Sequence, residues 1–202
     1  MRFYASGDNL ITIAAGYCVG YSTACKIVIE TGIALYAVLS PEFLQVPSTE
    51  EWRKIVIDFS RIWNFPNCVG SLDGKHIAIQ APKHSGSDYF NYKQFHSIIL
   101  MAACDANYKF TLIDLGAYGR EGDRYVYNSS FISQQLEDGS LGLPPCTKLP
   151  YSNKYLPHVF VGDEAFPFKS FLMKPFAGRC TGLLEKAEKI FNYRYLIHHL
   201  IS

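Results

Sequence analysis

Two carboxylates stand in stretches otherwise dominated by apolar residues: Asp73 in "CVGSLDGKHIAI" and Asp163 in "HVFVGDEAF". Acids brought side by side repel and raise each other's pKa unless a divalent cation lies between them, and a hard ion such as Mg²⁺ favours oxygen ligands. With two such ions, one activates a water and the other stabilises the leaving oxygen of a phosphodiester. Each acid also has a plainer explanation. An Asp before Gly is a common turn residue, and Asp163, followed by Glu164, can cap a helix. Spacing alone leaves both open.

The elements that must position the two acids begin after Pro66, where the pattern turns to strands. Cys68 to Ile79 reads as a first, buried strand. "HSIILMAACD" from His96 is a continuous apolar run suited to a strand covered on both faces, and "KFTLIDLGAYG" from Lys109 is a third. The tight "DANYK" link makes the last two a hairpin. "GDRYVYNSSFISQQLEDG" predicts one helix that starts on Asp123 and stops at Gly139. A Pro-rich loop, a short buried strand ending at Asp163 and a helical tail, "TGLLEKAEKIFNYRY", complete the chain. Three strands, a helix and a fourth strand open a ribonuclease H-like sheet, in which an acid in the first strand lies beside an acid at the end of the fourth. The fold class is therefore α/β, with a mixed sheet of the α+β kind. Residues 67–202 form that domain and residues 1–66 a helical region before it.

In the front region a short helix from about Asp8, a turn around Gly16 to Gly20 and a second helix capped by Ser22 outline a helix-turn-helix. Its second helix carries only Lys26 as a basic residue, whereas a groove-reading helix presents several Arg, Lys, Asn or Gln side chains, so packing is the better reading. "PSTEEWRKIVIDFSRIW" adds a capping box, Ser48 with Glu51, and an apolar stripe from Trp52 to Trp63. Nineteen Lys and Arg against eighteen Asp and Glu give a net charge of +1, too little to draw a polyanion by overall field. No apolar run reaches the ~18 residues of a membrane span, and no secretory signal opens the chain, which points to an intracellular protein without a membrane partner. Six scattered cysteines, with no CxxC pair, indicate buried reduced thiols rather than zinc or disulfides.

Longer blocks carry a resemblance over nearly the whole chain. "FYASGDNL", "VGYSTACKIV", "WNFPNCVGSLDGKHIAIQAP", "YFNYKQFHSIILMAACDANYKF", "GDEAFPFKSFLMKPF" and "EKIFNYR" resemble the transposase-derived nucleases of the PIF/Harbinger group. The resemblance implies a DDE-type nuclease domain, a Mg²⁺ or Mn²⁺ cofactor, a DNA substrate, action in the nucleus and cytoplasm, and a separate DNA-binding protein as partner. Carried over by residue, Asp73 and Asp163 match the first two catalytic acids and would hold the metal. Asp123, in "GREGDRYVYNSS", matches a further family acid but ranks below them, since "REGD" departs from the usual Gly-Ser-x-x-Asp and an N-cap role explains it equally well.

In the family, "FNYR" opens an arginine-rich helix that leads on to the catalytic Glu. Here it is followed by Leu196, Ile197, His198 and His199, and the chain ends at Ser202, which reads as a domain lacking its C-terminal end. Glu185 and Glu188 fall too close to Asp163 for the family spacing. Two functions follow as expectations: a metal-dependent DNA endonuclease impaired by the absent third acid, and a non-catalytic DNA- or protein-binding module of the same fold. Lys75 and His76 are candidates for the scissile phosphate, though alternation lets only one of them face the site. Lys93 and His96, among Tyr89, Phe90, Tyr92 and Phe95, suit stacking on an unpaired strand or simple packing. Lys83 and His84 read as a solvated loop.

Overall fold

The computed structural model describes residues 1–177 and 185–196. Two compact units divide between Gln45 and Val46.

The first unit holds three helices: α1 (Arg2–Ser6), α2 (Leu10–Gly16) and α3 (Tyr21–Phe43). The Asn9 side chain caps α2 by accepting from Ile11 N at 2.8 Å, one residue past the expected start. The cap of α3 is Gly20 rather than Ser22, which lies inside the first turn. The Tyr4 hydroxyl donates to the Val28 carbonyl at 2.5 Å, and Gly32 makes room for it, since a Cβ there would meet that oxygen at 2.3 Å. As expected, α3 packs on α2, but of its side chains only Ala24 is buried, while Ile27, Ile29, Ile33, Tyr36 and Val38 are exposed. The expectation about membrane spans is also corrected. With 23 residues and a mean hydropathy of 1.5 over its most apolar 18-residue stretch, α3 is long and apolar enough to cross a bilayer by length and composition. Lys26 and Glu30 interrupt its apolar runs without lowering that mean enough to exclude it.

The second unit starts with α4 (Thr49–Trp63), which the sequence grouped with the front region. Its capping box is present: Ser48 Oγ accepts from Glu51 N, and the Glu51 carboxylate accepts from Ser48 N at 2.8 Å. Trp52 and Phe59 are fully buried on its inner face, and Trp52 Nε1 donates to the Leu141 carbonyl at 3.1 Å. Truncating either ring would cost about 3–5 kcal/mol.

A five-stranded sheet follows, built from β1 (Cys68–Ala78), β2 (Ser97–Cys104), β3 (Phe110–Tyr118), β6 (Val159–Gly162) and β7 (Leu172–Met173). The order is β3-β2-β1-β6-β7, antiparallel among the first three and parallel across β1, β6 and β7. The β2–β3 hairpin is held by Asp105, whose Oδ1 accepts from Asn107 N at 2.8 Å and Lys109 N at 2.9 Å. A two-stranded ribbon, β4 (Thr147–Lys148) with β5 (Tyr155–Leu156), forms inside the Pro-rich loop.

Consecutive residues of β6 point to opposite faces and so enter two cores. Phe160 packs with Trp52, Leu72, Met101, Tyr127 and Ile132. Val161 packs with Phe59, Phe65, Cys68 and Tyr195, the last from α7 (Lys186–Leu196). The single helix expected from Asp123 to Gly139 is two, α5 (Asp123–Ser129) and α6 (Phe131–Glu137). Ser130 divides them by taking extended dihedrals (φ −74°, ψ 151°), and its side chain accepts from Ser133 N to cap α6. Among the described residues the thiols are free. Cys68 and Cys104 are buried, which pushes them up to about 12 and about 11, but Cys18 and Cys146 are exposed; Cys180 lies outside the described residues.

Candidate active site

Register brings the two sequence-predicted acids together. Leu72 on β1 is the Cα partner of Gly162 on the parallel strand β6, so Asp73 and Asp163 are the next residue on each of two neighbouring strands. Neighbouring strands lie ~4.8 Å apart. Past Leu72, β1 loses β6 and keeps only β2, and burial stops at the same point. The reading of Cys68–Ile79 as a buried strand is thus right only for its first half, and Lys75 is exposed. Asp73 Oδ1 accepts from Gly74 N at 2.9 Å. Asp163 Oδ1 accepts from Ala165 N at 2.5 Å, a turn-type contact of the kind the plainer explanation foresaw.

Asp123 is not the N-cap of α5; that position belongs to Gly122. Its carboxylate instead lies over β1, where a Cβ on Gly74 would come within 2.5 Å of Asp123 Oδ1 and 3.0 Å of its Cγ. Oδ1 is buried and has no hydrogen-bond partner. Burial pushes the Asp123 carboxyl above the ordinary carboxylate range, with the charges of Asp163 and then Asp73 adding to the rise and Lys93 opposing it. An unpartnered anionic oxygen among other carboxylates is unfavourable in water-poor surroundings without a cation. The oxygen-only donor set of Asp73, Asp123 and Asp163 suits a hard divalent ion. Among the described residues, no three His, Cys, Asp or Glu side chains are gathered as closely as a metal ion's ligands.

Of the basic candidates, Lys93 acts on Asp123 through its charge, and His76 lies near Lys93. His76 shares the face of β1 that Gly74 presents to Asp123, while Lys75 follows Asp73 on the other. Asn91 Oδ1 accepts from Lys93 N and Phe95 N, so its amide nitrogen must be the group that meets Ser97 Oγ, at 2.8 Å. Buried Ser97 Oγ in turn lies within hydrogen-bond reach of His76 Nδ1, at 2.9 Å, and holds the ring in place. Burial, and then the Lys93 charge, push His76 below its ordinary value, keeping it neutral at pH 7. His96 packs on Phe90 at 5.3 Å and gives its carbonyl to Ile79 N. Lys83 and His84 are exposed in a loop. Glu188 accepts from Glu185 N at 2.9 Å, capping its own helix. His198 and His199 lie outside the described residues.

The signals the sequence reading passed over are Gly74, the opening for Asp123, and the Asn91–Ser97 pair that orients His76. A Gly directly after a candidate metal acid, and a buried Asn-x₅-Ser beside a His, are the cues.

Comparisons with known proteins agree with the resemblance. The family described as DDE superfamily endonuclease matches residues 72–202. "Putative nuclease HARBI1" is 25% identical over 98% of this chain in both Bos taurus and Homo sapiens, covering 51% of each relative. "Protein ALP1-like" of Arabidopsis thaliana is 27% identical over 96% of this chain and 47% of its own. The chain spans about half the length of these relatives. No solved structure matches it.

Proposed function

The chain belongs to the DDE superfamily endonuclease family, of the Harbinger transposase-derived kind, and on that premise we propose that it is a divalent-metal-dependent nuclease that hydrolyses DNA phosphodiesters. The sheet order, three antiparallel strands followed by two parallel ones, supports a ribonuclease H-like fold. The observation that carries the reading is the buried, unpartnered Asp123 Oδ1 beside the Asp73–Asp163 pair.

Asp73, Asp123 and Asp163 would hold Mg²⁺ or Mn²⁺, which when bound supplies an activated water and charge neutralisation at the leaving oxygen. The His76 imidazole and the positive charge of Lys93 would meet the anionic oxygens of the phosphate being cut. A backbone phosphate met by two such groups is positioned rather than read, so sequence choice falls to a separate DNA-binding partner. A DNA substrate implies work in the nucleus, with synthesis and passage through the cytoplasm.

The test is Mn²⁺ binding followed by electron paramagnetic resonance, together with nicking of supercoiled plasmid. Wild type is expected to bind the ion, and Asp73→Ala and Asp123→Asn to bind it at least tenfold more weakly. Equal affinity in all three would overturn the site. Metal binding and DNA binding without nicking would assign the chain to the non-catalytic reading.

A further inference from the structure

The aromatic residues between Tyr89 and Phe95 do not share one job. Tyr89 packs on Tyr118 with ring centroids 5.1 Å apart, Phe90 packs on His96, and Phe95 is half-buried. Tyr92 is 79% exposed. Single exposed aromatic residues are ordinary on protein surfaces. This one stands on a locked loop next to Lys93, whose charge acts on Asp123.

Asn91 locks it. At 2% exposure, its side chain accepts from Lys93 N at 2.9 Å and Phe95 N at 3.3 Å and donates to Ser97 Oγ. Its backbone N–H donates to the Phe95 carbonyl at 2.9 Å, and its carbonyl accepts from Gln94 N at 3.0 Å. Gln94 takes a left-handed φ of 65° to close the turn. The same Ser97 hydroxyl orients His76, whose ring meets Tyr92 edge to face at 5.7 Å, and Lys93 Nζ lies 5.5 Å from the Tyr92 ring centroid. One buried network thus gathers an exposed ring, an imidazole and an ammonium, the last close enough for its charge to act on Asp123.

We propose that Tyr92 is a stacking platform for an unpaired nucleotide, so that this site takes DNA as a single strand in preference to intact duplex. The proposal rests on the nuclease reading above and narrows its substrate. A paired base offers only its edges, because its faces are covered by its neighbours, whereas an unstacked base has a face to lay on the ring. Lys93 rests within a side chain's swing of the phosphate attached to such a base. With a net charge of +1, the chain lacks the field that holds long duplex, and stacking supplies affinity that charge does not.

The experiment is fluorescence anisotropy of a short thymidine oligonucleotide and of a blunt duplex, in EDTA and again with Ca²⁺. Wild type should bind the single strand more tightly. Tyr92→Ala should lose roughly 5- to 150-fold on the single strand with no change on duplex, and Tyr92→Phe should keep wild-type affinity. The salt slope should be unaltered in Tyr92→Ala and shallower by about 0.7 in Lys93→Gln. Wild-type affinity in Tyr92→Ala, an equal loss on both forms, or no DNA binding by wild type would overturn the proposal. The two readings fail separately. Strand binding through Tyr92 without Mn²⁺ binding sinks the nuclease and keeps the platform, and Mn²⁺-dependent nicking indifferent to Tyr92 does the reverse.

Discussion

From Cys68 to Leu72, strand β1 has β6 alongside and every residue is buried; from Asp73 to Ala78 only β2 accompanies it and none is. Chain continuity makes one strand of two environments. The first half anchors the sheet through Val69 and Leu72, and the second reuses that rigidity to hold polar groups where water and ligands reach them. A charge at Leu72 would need a buried partner, whereas one residue later the missing neighbour strand removes most of that penalty.

The largest test of this contrast is truncation in the buried half. Leu72→Ala should cost about 2–5 kcal/mol, read as a lower urea midpoint at unchanged slope, whereas exposed Lys75→Ala should stay within about 0.5 kcal/mol. Equal costs would erase the distinction. Next comes the boundary itself. Gly74→Ala drives a methyl into the Asp123 carboxylate and should cost about 1–3 kcal/mol. In an Asp123→Ala background much of that cost should vanish, and strictly additive effects would mean the two residues do not meet.

The smallest effects are pH-dependent and opposite in sign. His158, buried one residue before β6, has Nδ1 3.0 Å from the Pro144 carbonyl, and burial holds it below its ordinary value of 6.5. Its contribution is present above pH 6.5 and lost as pH falls through the depressed value, so His158→Gln should flatten the acid limb of stability. Asp123 is raised from 3.8, so its contribution is present below pH 3.8 and lost as pH rises through the elevated value. Asp123→Asn should therefore raise the melting temperature of the metal-free chain at neutral pH, by about 2–4 °C for each kcal/mol relieved. A lower melting temperature would mean the carboxylate is already compensated.

Asp73 and Asp163 were legible because strand order and position within a strand survive translation into a sheet. Asp123 was half-legible: the helix start was right, but a Gly at the cap freed the acid to point at β1, and no local pattern distinguishes an N-cap from the residue after it. The break at Ser130 was hidden because the residues on both sides have helical periodicity, and a serine side chain decided the matter by capping the second piece. The apolarity of α3 was masked because Lys26 and Glu30 interrupt its apolar runs without removing the average apolarity of its best 18-residue stretch. Conversely, the Ser48–Glu51 box and the Trp52–Phe59 stripe of α4 were plain, because capping and periodicity act within one element.

The parallel pairing of β1 with β6 also sets an order of events during synthesis. Strands β1 to β3 join neighbours in sequence and can pair as soon as Tyr118 has left the ribosome, but the other edge of β1 waits for Val159–Gly162, which emerges some ninety residues after the strand it must cover. Closing so long a loop is slow, and the waiting edge is an apolar template for another chain. A nascent three-stranded intermediate is open along Cys68–Leu72, and the stretch that finally sets Asp163 beside Asp73 is the same one that ends its exposure.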